Sequence, residues 1–176
     1  MRTGARLAAR ILGALAGLLV LFVVIGILLP GSVEVTRSAS IQAPPAAVFP
    51  FLADLEAWSE WTPWGDVEST IEGSSTGVGA TRVWDDPNLG SGALTLVEVV
   101  ADSLVAYRVD VEDGAIVFEG SFHAKAAARG QATELTWTER VDLGWNPILG
   151  WTALTMGDTQ GQQLEESLTR LRALFP

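Results

Sequence analysis

From Ile11 to Leu29 the chain runs for 19 residues without a charge, an amide or a hydroxyl. As a helix rising 1.5 Å per residue, such a run spans about 28 Å, close to the thickness of the bilayer hydrocarbon. A buried core helix of a globular domain would show a polar stripe, and this one shows none. The segment reads as a transmembrane helix over 11–29, preceded by a short N-terminus over 1–10 and followed by a domain over 30–176. After Leu29 the chain passes through Pro30-Gly31-Ser32 directly into strand-like sequence, without the small-x-small site that ends a secretory signal, so the helix reads as an uncleaved anchor.

Beyond it the period changes to two. Val33, Val35, Ala39 and Ile41 alternate with Glu34, Thr36, Ser38 and Ser40, the pattern of a half-buried strand. Pro44-Pro45 stops that strand and opens one or two short helices that break near Asp54. Strands are then predicted over 67–71, 80–84, 92–100, 105–111, 116–124 and 133–141. They are separated by turn residues at Gly73–Gly79, Pro87-Asn88-Leu89-Gly90, Ala101-Asp102, Asp113-Gly114 and Arg129-Gly130. Connections this short make an antiparallel meander. Its one apolar face carries Tyr107, Phe118, Phe122, Leu135 and Trp137, and its polar face carries Arg108, Glu119, His123 and Arg140. The apolar face needs a cover. A helix from about Asp158 to Phe175, capped by Asp158 or Thr159 and presenting Leu164, Leu168, Leu171 and Phe175, supplies it. The expected fold is α+β, with a seven-stranded antiparallel curved sheet wrapped around a long C-terminal helix.

Charge narrows the partners. Three of the 11 basic residues, Arg2, Arg6 and Arg10, precede the apolar run, and all 21 acidic residues follow it, which leaves the domain 8 basic residues and a formal charge of about −13. A surface of that sign repels phosphate backbones, so nucleic acid is excluded as a partner. The arginine bias places the N-terminus in the cytoplasm and the domain on the extracytoplasmic side of the cell membrane. The chain has no cysteine, which removes disulfides, thiolate nucleophiles, cysteine zinc sites and a lipidated cysteine together.

Four pieces in this order, VTRSASIQAPPAAVFPFLAD (35–54), WSEWTPW (58–64), TELTWTERVDLG (133–144) and the final helix, resemble the START/Bet v1-like (SRPBCC) superfamily, in particular its polyketide cyclase/dehydrase and lipid-transport branch. The resemblance spans roughly Val33 to Phe175. It implies a helix-grip fold whose long helix lies across the sheet and leaves an apolar cavity for lipids, sterols, polyketides or other aromatic ligands. It also implies that the first and last strands are antiparallel neighbours. Fold alone does not choose among such ligands.

Tryptophan is the densest candidate chemistry. Trp61, Trp64, Trp145 and Trp151 fall in predicted loops and are the expected rim of a binding cavity; core packing is the alternative for each and comes first for Trp137. Tyr107, Phe118, Trp137, Leu164 and Leu168 are the further expected lining residues. Two charges break the alternation: Arg37 on the inward register of the first strand and Glu139 on that of the last. Paired burial is tolerable where single burial is not, so a bridge between Arg37 and Glu139 at the cavity edge is expected, with fraying strand ends in water as the alternative. His123, the sole histidine, falls on the polar face. With no HExxH or His-x-His spacing, neither a metal nor a cofactor is expected. Gly73–Gly79 lacks the lysine and following helix of a phosphate loop and reads as a hairpin; the Asp85-Asp86 and Glu112-Asp113 pairs read as solvated turns.

These readings lead to a membrane-anchored module that binds a hydrophobic or aromatic small molecule or lipid. Two alternatives stand beside it: a polyketide cyclase/dehydratase-like enzyme using Glu139, Arg37 and Tyr107, and a protein-interaction or stress module whose cavity has collapsed around its tryptophans.

Overall fold

The computed structural model describes the backbone of residues 2–87 and 90–175 and the side chains of residues 10–87 and 90–175. Of the turn expected at Pro87-Asn88-Leu89-Gly90, the two middle residues lie outside the described ones. The order is α1 (Arg2–Leu28), β1 (Ser32–Ile41), α2 (Pro45–Ala53), α3 (Trp58–Trp61), a 3-10 turn (Pro63–Asp66), β2 (Ser69–Glu72), β3 (Thr81–Asp86), β4 (Gly90–Val100), β5 (Leu104–Val111), β6 (Ile116–Ala127), β7 (Ala132–Asp142) and α4 (Pro147–Ala173). The seven strands form one antiparallel sheet in the order β1-β7-β6-β5-β4-β3-β2. This is the α+β, helix-grip arrangement that the alternation predicts, with β1 and β7 adjacent.

Two helices depart from expectation. α1 begins at Arg2, so the residues expected as a separate N-terminus over 1–10 are, where described, part of the helix. From Arg10 to Leu28 it is long and apolar enough to cross a membrane. α4 begins at Pro147 rather than near Asp158: Asn146 Oδ1 accepts from the Ile148 amide at 2.9 Å, a cap followed by proline in the position where its missing N–H costs nothing. The early turns of α4 show no stripe toward the sheet because they pack on α1. There Gly26 and Gly150 bring the two backbones together: a Cβ on either would lie 2.2 Å from a carbonyl oxygen of the other helix.

Register locates every feature along the strands. Ser32 pairs with Asp142, Asp142 with Val117, and Val111 with both Ile116 and Gly92. One end of the sheet, the near end, therefore gathers the start of β1, the end of β7 and the β5–β6 hairpin, next to the end of α1 and the start of α4. At the far end the concave face is filled. Trp58 and Trp61 are 2% and 0% exposed and meet Phe122 edge-on at 5.5 and 5.7 Å between ring centroids. Their indole N–H groups donate to Leu52 O (2.9 Å) and Phe51 O (3.1 Å), carbonyls in the last turn of α2 that have no partner within the helix.

A buried arginine secures this plug. Arg82 shares the inward register of β3 with Ala80 and Trp84, is 5% exposed, and donates to Leu55 O, Ser69 Oγ at 2.8 Å and Ser59 Oγ at 3.2 Å. Trp64 covers its guanidinium at 5.6 Å.

Candidate functional site

The near half of the concave face is not filled. Between the sheet and α4 lies a cavity of about 640 Å³, walled by side chains that include Trp64, Trp84, Tyr107, Val109, Phe118 and Trp137, with Met156, Gln160 and Leu164 from α4. A cavity of this size is within the range of small-molecule sites. Trp84 lies over Gly92, where a Cβ would sit 2.3 Å from its ring, and packs against Trp64 at 4.9 Å. Its Nε1 is buried without a hydrogen-bond partner among the described residues.

A buried polar chain enters this mainly apolar wall. Tyr107, Gly120 and Glu139 are successive cross-strand neighbours on β5, β6 and β7. Because Gly120 has no side chain, the tyrosine ring lies across β6; a Cβ there would be 2.0 Å from it. The hydroxyl thus reaches Glu139 Oε1, to which it donates at 2.6 Å, while accepting from Trp137 Nε1 at 2.9 Å. Gln160 of α4 donates to the other carboxylate oxygen, Oε2.

Glu139 is 6% exposed. Burial raises its pKa above the ordinary carboxylate value, against the opposing pull of the hydrogen bonds from Tyr107 and Gln160. Burial first, and the neighbouring Glu139 second, push the Tyr107 hydroxyl well above its ordinary value, so Tyr107 remains the donor of the pair.

The other expected site residues are distributed as follows. Tyr107, Phe118, Trp137, Leu164 and Trp64 stand in the cavity wall. Trp61 belongs to α3 and the far-end core. Leu168 is buried on α4 outside the wall. Trp145 is 90% exposed. Trp151 is helical and stacks on Phe22 of α1 at 5.1 Å and 7°, so neither of these two rims the cavity. The expected Arg37–Glu139 bridge is replaced by another: Arg37 stands opposite Trp137, whereas Glu139 stands opposite Val35. Arg37 does point inward, but over Gly161, whose missing Cβ admits the guanidinium, and it pairs with Glu165 at 2.6 Å, half-exposed. His123 is exposed on the outer face.

Three participants are absent from the expected set. Trp84 and Arg82 both occupy inward positions of an alternation already visible around Ala80, and that parity was the available signal. Gln160 lies beyond it, because its role depends on where α4 crosses β7.

Residues 32–176 match the family described as polyketide cyclase/dehydrase and lipid transport. No curated protein matches the chain in sequence. Among solved structures it is similar to a protein of Thermobifida fusca determined by NMR, at 21% identity and a TM-score of 0.61 over 81% of this chain and 92% of that one. A hypothetical protein of Helicobacter pylori aligns at 11% identity and a TM-score of 0.63, over 82% and 88%. A protein of Nitrosospira multiformis aligns at 20% identity and a TM-score of 0.60, over 82% and 97%. At these identities the likeness concerns the fold.

Proposed function

The chain belongs to the polyketide cyclase/dehydrase and lipid-transport family, and from that premise we propose that it binds one hydrophobic or aromatic small molecule or lipid inside its sheet while α1 holds it in a membrane. The observation that carries this reading is the cavity: a mainly apolar space of about 640 Å³ into whose wall a buried hydrogen-bonded chain, Trp137–Tyr107–Glu139–Gln160, is set. Apolar walls contribute affinity through area removed from water, and one polar point orients the guest. Trp84 Nε1 adds a second donor on the wall. In this reading residues 11–29 span the bilayer, residues 30–176 form the binding domain, and the arginines at 2, 6 and 10 keep the N-terminus cytoplasmic with the domain on the other side.

Native mass spectrometry of the full-length protein, released from lipid nanodiscs, tests the reading. The expected spectrum contains the chain with one small guest, or takes up one equivalent of a fluorescent fatty acid. A chain that carries no added mass and excludes the probe would overturn it.

A second reading is proton transfer to a bound guest. It is favoured by the raised pKa of Glu139 beside an apolar space, the setting in which a carboxyl serves as an acid near neutral pH. Recovery of a guest chemically altered by wild type but not by Glu139→Gln would support it.

A further inference from the structure

We infer that the first turns of α4, together with Trp145, are embedded in the bilayer leaflet that α1 leaves at Leu28, so that the chain grips the membrane with two elements. This rests on the proposed reading of α1 as a membrane span. The apolar run of 11–29 reaches about 28 Å against a hydrocarbon layer about 30 Å thick, which leaves no turn of that run free to stand in water. Yet α4 is packed on those last turns. Gly26 meets Pro147 and Gly150 backbone to backbone. Trp151 stacks on Phe22 at 5.1 Å and donates to its carbonyl at 3.2 Å. The six positions from Phe22 to Leu28 correspond to about 9 Å along the helix. Trp151 therefore lies at the depth of Phe22, well below the level at which α1 leaves the hydrocarbon. Lifting α4 into water would draw the last third of the span out with it.

The segment is suited to that place. From Leu143 to Gly157 there is no charged residue, and charge resumes at Asp158. Ile148 and Leu154 are 64% and 58% exposed, and Trp145 is 90% exposed, costly in water but favourable in an interface that attracts indole rings. The polar side chains turn back on the helix: Asn146 caps the Ile148 amide, and Thr152 donates to Leu149 O at 2.7 Å. Backbone and side-chain groups satisfied internally are what hydrocarbon tolerates. Along α4 the cavity wall begins at Met156, one turn past Thr152, and Val111 and Ile116 of the near-end hairpin also belong to it. The empty half of the concave face is thus the half held against the bilayer, and a guest passes between them without crossing bulk water.

Because the chain has no cysteine, single substitutions Leu19→Cys, Ile148→Cys, Leu154→Cys and His123→Cys can each carry a polarity-sensitive fluorophore. The full-length protein is reconstituted in phosphatidylcholine vesicles with or without lipids bearing a nitroxide on the acyl chain. The expected result is blue-shifted emission and severalfold quenching at Leu19, Ile148 and Leu154, with His123 unaffected. Quenching at Leu19 with water-like, unquenched labels at both Ile148 and Leu154 overturns the embedding of α4 and leaves the anchor standing. No quenching at Leu19 overturns the span itself, and the inference with it.

Discussion

Glu139 and Arg82 are the buried acidic and basic side chains among the described residues, and each makes a prediction. The pKa of Glu139 is raised by burial, so the folded chain holds this proton more tightly than the unfolded chain does. Its contribution to stability is then complete below the ordinary carboxylate value near pH 4 and is lost as pH rises through the raised value. Glu139→Gln cannot ionise. Thermal melts followed by circular dichroism should show that the variant loses part of the wild-type decline in midpoint as pH rises above about 4. Identical slopes in the two proteins would refute the assignment. Arg82 acts differently, since its donors go to a carbonyl and two hydroxyls rather than to a carboxylate. Arg82→Met leaves Leu55 O without that partner and loosens the segment that carries Trp58 and Trp64. The expected loss is about 1–3 kcal/mol in urea denaturation.

Among the elements, the row Tyr107–Gly120–Glu139 shows how three strands make one site. Each residue alone is ordinary; placed side by side, a large ring, a missing side chain and an acid become a hydrogen bond across the middle strand. Gly120→Ala would put a methyl into the Tyr107 ring and displace the hydroxyl from Glu139. Overpacking of this kind costs about 1–3 kcal/mol. The variant is also expected to lose the extra effect of Tyr107→Phe, so that a double-mutant cycle over the two positions is strongly non-additive. Additive changes would mean that Gly120 does not place the ring. A comparable dependence governs β4 and β5, where the register shifts between Leu96 and Glu98. Leu94 and Leu96 face the core, but past the shift Glu98 is exposed and Val99 packs against the core, a change of face that simple alternation along 92–100 does not foresee.

For the whole molecule, the division of the concave face into a filled far half and an open near half is decisive. Trp58, Trp61 and Phe122 close the first; the large rings of the second, Trp64, Trp84, Phe118 and Trp137, stand in its wall and leave the space between them open. Val109→Trp, placed on the open wall, should fill part of the cavity. Because such a variant removes empty space rather than contacts, stability is expected to hold within about 1 kcal/mol or rise, while uptake of a fluorescent fatty acid falls. Retained uptake with an intact fold would move the guest elsewhere.

Much of this was legible in the chain. The apolar run, the two-residue alternation and the turn residues are local properties, and they suffice for an apolar N-terminal helix, seven strands, a covering helix and the inward parity of Tyr107, Trp137 and Glu139. Local patterning could not say which inward residues touch. Arg37 and Glu139 share a face but miss their expected pairing, because register sets Arg37 opposite Trp137 and Gly161 opens another place for it. Nor could it distinguish Trp61 from Trp64, three residues apart, one sealed in the core and the other on the cavity wall. The start of α4 escaped for the same reason: its first turns are patterned to fit α1, distant in sequence, rather than the sheet beside it. Periodicity reports which side of an element is buried, and that much the amino-acid order determined. What it is buried against, and where a gap is left, depends on contacts between distant segments, and only the tertiary structure decided them.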